Sequence, residues 1–370
     1  MNYRIFAILF IHVCVWSCTP DPNTNPIEPP KAAAMHTSFY VGTYTSGDSK
    51  GIYKYRIDET GQLSAEGLVA EASNPSFLSK SGDYLLAVNE NEDGSIQSFK
   101  ITSDSLIHVN TSPTGGAHPC FVTMDENGHV LVANYTGGNV GYLTLSDNGY
   151  LSDLLDVQQH IGSGPTDRQE GPHAHSVWFA PGTGHVLAVD LGTDEIWTSY
   201  LLEEKERLVH EGQKLKLNPG AGPRHLCFLN EERLFVLNEL DGTVANVQIN
   251  ETGDMQVDGV YPTLPADFDG FNTCADIHLS ADGQFLYASN RGHDSIVIFK
   301  VGKDGHLVHV GFESTRGATP RNFTLSPDGA FLLVANQEGN NIVSFKRDSE
   351  RGTLSFVSSI EAPNPVCLLF

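Results

Sequence analysis

One short apolar phrase recurs along this chain, and its spacing leaves little freedom in how the chain can fold. It reads YLLAVN at 84–89, VLVAN at 130–134, VLAVD at 186–190, LFVLN at 234–238, FLYASN at 285–290 and FLLVAN at 331–336, with a weaker FYVGT at 39–43. A second alternating run follows each copy: IYKYRI, IQSFKI, VGYLTL, IWTSYL, VANVQI, IVIFKV and IVSFKR. The copies begin at Phe39, Tyr84, Val130, Val186, Leu234, Phe285 and Phe331, so they lie 45–51 residues apart with one gap of 56. Short runs of alternating polarity form strands half buried on one face. A unit of such strands, repeated at this interval, buries its faces only against its neighbours. The pattern predicts an all-β chain folded as a single seven-bladed β-propeller.

Each unit divides into four strands. Strand a is NPSFLS, HPCFVTM, AHSVWFA, PRHLCFL, ADIHLS, PRNFTLS and, at the C-terminus, NPVCLLF. Strand b is the recurrent phrase and strand c the alternating run. A Gly-x-Leu or Gly-x-Met element (GQL, GYL, GDM, GHL, GTL) opens strand d in five of the seven units. The repeat starts on a strand b and stops on a lone strand a at 365–370. The last strand is therefore expected to complete blade 1, closing the ring and removing an open sheet edge. The longest connections, 157–173 and 258–274, enter blades 4 and 6 and should form the rim there.

Gly and Pro are abundant, 36 and 19 in 370 residues, and helical periodicity is almost absent, so one closed domain over 37–370 is expected. A formal net charge of −23 argues against nucleic acid, whose phosphates need a basic face. The N-terminus reads differently. MNYR followed by IFAILFIHVCVW is a positive start and an apolar run too short to span a bilayer. VWSC resembles a bacterial lipobox, which makes 1–17 a lipoprotein-type signal peptide and Cys18 the lipidated residue; an ordinary secretory leader is the alternative. The Pro-rich stretch across 18–36 suits a flexible tether. The expectation is an exported monomer, held in the bacterial cell envelope (periplasm or outer membrane) only through its lipid. Cys120, Cys227, Cys274 and Cys367 recur around strand a without C-x-x-C spacing and read as unpaired small hydrophobes.

Strand a begins where strand b ends, so both points lie at the same end of the ring. The last residue of strand b is Thr43, Asn89, Asn134, Asp190, Asn238, Asn290 or Asn336. A polar residue in every copy is most simply structural, since Asn and Asp side chains tie nearby backbone. The next position varies: Tyr44, Glu90, Tyr135, Leu191, Glu239, Arg291 and Gln337, of which Glu239 and Arg291 stand out. At the start of strand a one column reads Ser76, Cys120, His175, Arg224, Ala275, Arg321 and Val366. Its neighbour reads Phe77, Phe121, Ser176, His225, Asp276, Asn322 and Cys367, with His118 and His173 just upstream. The polar members gather in blades 4 to 7. Arg224, Arg291 and Arg321 in an acidic chain point to an anionic ligand, carboxylate or phosphate. Glu239 or a histidine is placed to act as general base, and an arginine to stabilise an oxyanion. With helical periodicity almost absent, the strand–turn–helix elbow of a serine hydrolase is not expected.

GPHAHSVWF (171–179), GPRHLCF (222–228), VLNEL (236–240), ADIHLSADGQFLYASNRGHDSI (275–296) and PRNFTLSPDGAFLLVANQ (320–337) closely resemble the seven-bladed lactonase family. That family includes propeller-type 6-phosphogluconolactonases and carboxymuconate cyclases. The resemblance covers Phe39 to Phe370. It implies metal- and cofactor-free hydrolysis of a sugar or sugar-acid lactone, with His173 or His175, Arg224, Glu239 and Arg291 in the active site. Glu239 or His175 would activate water while Arg224 and Arg291 bind the anionic group and polarise the carbonyl. His175 is taken with Glu239, Arg224 and Arg291 as the catalytic set; His118, His173, His225, Asp276, Asn290 and Arg321 are the candidate substrate-binding residues. The export signal departs from a cytoplasmic phosphosugar pathway and favours an unphosphorylated lactone. The alternatives are a lactone-forming cycloisomerase, a metal-dependent lactonase using Asn134, Asp190, Asn238 and Asn290 as oxygen ligands, and a non-catalytic surface propeller binding carbohydrate or protein.

Overall fold

The computed structural model describes residues 36–250 and 253–370. The leader, Cys18 and the tether up to residue 35 lie outside the described residues. The chain is already a strand at His36, three residues before the phrase FYVGT, because His36, Thr37 and Ser38 pair with Asp58, Ile57 and Arg56.

The described residues form 28 strands, β1 (His36–Thr43) to β28 (Pro365–Leu369), and a single 3₁₀ turn at Glu203–Lys205. They make seven four-stranded antiparallel sheets. Six sheets use four successive strands; the seventh is assembled in the order β28, β1, β2 (Gly51–Asp58), β3 (Leu63–Glu71). Its register, Tyr40↔Leu369, Val41↔Leu368 and Gly42↔Cys367, is the closure that the interrupted repeat predicted. Asn322 Oδ1 in blade 7 accepts the Leu368 N–H at 2.7 Å, joining the last strand to the preceding blade as well.

The inner strands are β4 (Leu78–Ser81), β8 (Pro119–Met124), β12 (Ala174–Phe179), β16 (Pro223–Asn230), β20 (Thr273–Leu279), β24 (Pro320–Leu325) and β28. Each packs against the next, β28 meeting β4 to complete the ring. Apolar faces interleave between blades: Leu187, Val189 and Ile196 of blade 4 pack on Leu226, Val236 and Ala245 of blade 5. Burying a Leu, Ile or Phe side chain contributes roughly 1.5–3 kcal/mol, so these seams hold the ring. All four domain cysteines are free thiols, as the sequence suggested.

Two expectations need correction. Both long connections begin as outer strands: β11 (Asp156–Gln159) leaves a connection over 160–173, and β19 (Met255–Pro262) leaves one over 263–272. Gly-x-Leu opens the outer strand in four blades, but in blade 3 Leu151 makes only an isolated bridge to Leu145. Ser152 turns the chain out of the ladder there, bonding Thr144 through its own N–H at 2.9 Å and its hydroxyl at 3.0 Å.

One irregularity recurs at the head of the inner strands. At the head of the inner strand Pro119 pairs with Asn134 and Phe121 with Ala133, so Cys120 has no partner. The ladder skips His175, Arg224, Arg321 and Val366 in the same way, and skips Ala275 with Asp276 in blade 6. Ser76 precedes its strand altogether. A β-bulge of this kind frees one residue from the ladder and re-aims its side chain. The variable column read from the sequence is the bulge column.

Candidate functional site

Glu239 follows β17 (Arg233–Asn238), is 3 % exposed, and has guanidinium groups against both carboxylate oxygens. Arg224 Nε lies 3.0 Å and Arg291 Nη2 2.9 Å from Oε2. Arg168 Nη2 donates to Oε1 at 3.1 Å. Burial pushes the Glu239 carboxyl up, but Arg291, Arg224, Arg168 and Arg321 outweigh it and hold it at about 2. The same crowding, after burial itself, lowers Arg224 to about 10. Arg224 Nη1 also donates to the Ala275 carbonyl, which fixes the guanidinium from below. Arg291 Nη2 donates to Cys274 O at 2.7 Å.

Arg168 comes from the 160–173 connection, which is latched at several points. His160 Nδ1 sits 2.6 Å from Asp190 Oδ2, and the His173 N–H donates to Asp190 Oδ1 at 2.9 Å. Gln169 Nε2 donates to Leu191 O at 2.8 Å and Asp194 Oδ1 at 2.7 Å. The latched strap holds Arg168 across the site, where it also donates to Tyr135 Oη at 2.9 Å.

Glu239, Arg291, Arg168 and Tyr135 line a cavity of about 460 Å³ with Glu90, Cys120, His175, Phe271, Thr273 and Arg321, and Arg224 lies behind Glu239. On the far side from the Glu239 cluster, Arg321 donates to Tyr44 Oη at 2.7 Å and Tyr44 donates to Glu90 at 2.9 Å. Burial, then Arg224, His225 and Arg321, hold His175 well below the usual histidine range, so its imidazole is neutral. Its Nδ1 is 3.7 Å from Cys120 Sγ. That pairing resembles a thiol nucleophile with its base, but burial and the Glu90 charge push the thiol up and keep it protonated. A wider cleft of about 1130 Å³ lies elsewhere, between 337–341 and 359–364; its charged groups, Asp48, Glu338 and Glu361, are all acidic and offer an anion nothing.

The structure brings Glu239, Arg291, His175 and Arg321 together around one cavity, sets Arg224 behind Glu239, and places the other candidates elsewhere. His118 is on the rim, 4.0 Å from Glu92, and does not line the cavity. His173 stacks on Tyr135 with ring centroids 4.5 Å apart and supports that wall from behind, so His175 is the histidine that faces inward. His225 and Asp276 lie beneath, bonded to each other at 2.9 Å, with Asp276 also taking Asn322 at 2.6 Å and His278 at 3.0 Å. Asn290 is wholly buried and donates to Thr263 O at 2.8 Å. Asn89, Asn134 and Asn336 likewise donate to backbone oxygens of Ser73, Thr114 and Thr315, and Asn238 to the Thr243 hydroxyl. The recurrent amide thus ties the turn through its nitrogen.

Sequence reasoning passed over Arg168, Glu90, Tyr44, Tyr135 and Phe271. Glu90 and Tyr135 occupy the same variable column as Glu239 and were visible there; nothing local marks Arg168, whose reach depends on the path of the strap.

A sequence profile described as "Lactonase, 7-bladed beta-propeller" matches residues 38–370. A 6-phosphogluconolactonase of Bacillus subtilis is 37 % identical over 342 residues, covering 90 % of this chain and 97 % of that one. Among solved structures, a periplasmic gluconolactonase of Pseudomonas aeruginosa superposes with a TM-score of 0.86 at 33 % identity, covering 90 % and 98 %. One from Bacteroides fragilis, described as a 6-phosphogluconolactonase by assignment, gives 0.84 at 36 % identity, covering 92 % and 99 %.

Proposed function

The chain belongs to the seven-bladed β-propeller lactonase family and hydrolyses lactones as a carboxylic ester hydrolase; from that premise we propose that the arginine-lined cavity at the head of the inner strands is its active site. The substrate class is a sugar or sugar-acid lactone carrying or developing negative charge. The observation that carries this reading is the convergence of Arg168, Arg224 and Arg291 on one carboxylate in a chain of net charge −23.

In lactone hydrolysis, water adds to the carbonyl carbon, negative charge grows on the carbonyl oxygen, and the ring C–O bond then breaks as the ring oxygen takes up a proton. Fixed guanidiniums beside that oxygen stabilise the charge as it forms. Arg291, with its side chain 12 % exposed, and Arg168, 50 % exposed, can reach a bound lactone; Arg224, at 3 %, sits behind them. Glu239, ionised and already engaged on both oxygens, is a weak base, and acts as the counter-charge that holds the guanidiniums together against their mutual repulsion. His175 offers a neutral imidazole wall. The arginines can supply the electrophilic charge without a metal ion, and the reaction is read as metal-independent.

The leader read in the sequence, together with the periplasmic relative, favours an exported enzyme acting on a gluconolactone-type substrate, tethered through Cys18. A pH-stat assay with glucono-δ-lactone and 6-phosphoglucono-δ-lactone tests the reading. Turnover above the spontaneous rate should fall by roughly 10²–10³-fold in Arg291→Ala. Absence of turnover on both lactones by a folded protein would refute it.

A further inference from the structure

Two carboxylates line the cavity, and their surroundings differ. Glu239 is clamped by three guanidiniums. Glu90, which follows β5 (Tyr84–Asn89) in blade 2, accepts a hydrogen bond from the Tyr44 hydroxyl at 2.9 Å. Among the described residues, no lysine or arginine nitrogen lies within ion-pair distance of it. A pair of carboxylates held in unlike environments is how one site assigns different proton roles.

Directly under the cavity is a chamber of about 10 Å³, lined by Ser76, Phe77, Glu90, Cys120, Arg224, His225, Arg321, Asn322 and Val366. That is room for one water molecule. Glu90, Cys120 and Arg321 line both spaces, so the chamber adjoins the cavity at Glu90. Ser76 is 5 % exposed, and its Oγ finds no hydrogen-bond partner among the described residues. A buried hydroxyl left without a protein partner costs about 1–3 kcal/mol unless a water satisfies it.

We propose that Glu90 is the general base of the lactonase reaction and that the attacking water enters from the chamber between Glu90 and Ser76. This rests on the lactonase reading of the cavity. The Glu90 carboxylate takes one proton from the water, and the resulting hydroxide bonds to the lactone carbonyl carbon. The tetrahedral oxyanion collapses with cleavage of the ring C–O bond, and the ring oxygen takes the proton from Glu90. That transfer returns Glu90 to its starting carboxylate, and the product hydroxy acid ionises by losing its own proton to solvent. The other titratable groups lining the cavity serve this step poorly. His175 is a weak base because burial and the Arg224 charge disfavour its protonated form. Burial pushes Cys120 and Tyr135 up, so both stay protonated and have no free pair of the required basicity. The titratable and charged groups that face Glu90 are Tyr44 from blade 1, Cys120 from blade 3, Arg224 and His225 from blade 5, and Arg321 from blade 7.

The test measures kcat and KM against pH for the wild type, Glu90→Gln, Glu90→Ala and Ser76→Ala on the lactone the wild type prefers. Glu90→Gln should lower kcat by about 10²–10⁴-fold, with KM changed only a few-fold, and the acid limb of the rate profile should disappear. Added formate should restore at least about tenfold of the rate in Glu90→Ala, which a purely structural role would not produce. Ser76→Ala should lower kcat by about tenfold while KM stays close to wild type. If Glu90→Gln melts early, Glu90→Asp keeps the charge but withdraws it from the chamber, and should still show the kcat loss. Wild-type turnover that persists in Glu90→Gln with its acid limb intact overturns this proposal alone. No wild-type turnover on any lactone overturns the lactonase reading, and this one with it.

Discussion

Replacing Glu239 by Gln isolates the charge that organises the site, because the side chain keeps its shape and loses only its ionisation. The folded carboxyl titrates at about 2 against an ordinary value of 4.5. Each tenfold difference in proton affinity is worth about 1.4 kcal/mol, so the ionised group stabilises the folded chain by about 3 kcal/mol at neutral pH. The sign follows from the direction. The folded value is depressed, so the contribution is complete above 4.5 and is lost as pH falls toward 2. At pH 3 about 1.4 kcal/mol should remain. Without the carboxylate, Arg224, 3 % exposed, and Arg291 face each other unneutralised, a situation that costs several kcal/mol in buried pairs. Urea unfolding followed by the fluorescence of Trp178 and Trp197, both in blade 4, measures the difference between wild type and Glu239→Gln at pH 7 and pH 3. The expected loss is about 3 kcal/mol at pH 7, shrinking by half or more at pH 3. A loss under about 0.5 kcal/mol at pH 7, or one that does not shrink at pH 3, would refute the view of Glu239 as the counter-charge.

Deleting 365–370 removes Val366, Cys367 and Leu368, all at most 5 % exposed, and should cost at least about 5 kcal/mol. A deletion variant with unchanged melting would sink the closure model. Exhaustive EDTA treatment should leave lactone turnover within about twofold, since the arginines already supply several kcal/mol of charge stabilisation; loss restored by one divalent cation would contradict the proposed mechanism. Cys18→Ser should release the protein from the membrane fraction and abolish labelling by a radioactive fatty acid. Retention in the membrane fraction would remove the lipoprotein assignment.

What the sequence disclosed and what it hid have a common physical origin. Period, blade count and closure are legible because each follows from alternation along single strands. The bulge column is legible for the same reason: every blade repeats the geometry, so a residue that departs from the column stands out. Arg224 and His175 stand out in this way, and Glu239 and Arg291 in the column that follows strand b. Depth is different. His225 and Asp276 sit in the neighbouring column, yet they point under the cavity and bond each other at 2.9 Å, which alternation alone does not reveal. Arg168 was missed because its position depends on bonds between the strap and Asp190, Leu191 and Asp194, all far from it in the fold's repeat. Glu90 stands in the variable column with Glu239 and was passed over because blade 2 carries Ser76 and Phe77 in the two inner columns and so looked inert.

That last case explains how a sevenfold scaffold can carry a one-sided site. The bulge removes each column residue from the hydrogen-bond ladder, so a change of side chain there alters the channel wall without breaking a strand pair. Position after strand b is equally free, because the recurrent Asn or Asp before it already ties the turn. Charge can then be distributed around the ring by side-chain type alone. Here it is divided between two clusters that share a cavity. One is strongly cationic, with Glu239 neutralised by Arg168, Arg224 and Arg291. The other links Arg321, Tyr44 and Glu90 by hydrogen bonds of 2.7 and 2.9 Å. A lactone lying between them would meet positive charge at its carbonyl oxygen on one side and a carboxylate with access to a single water on the other. Polarisation and proton removal are thereby assigned to different blades, and the small Ser76 of blade 2 is what leaves space for the water.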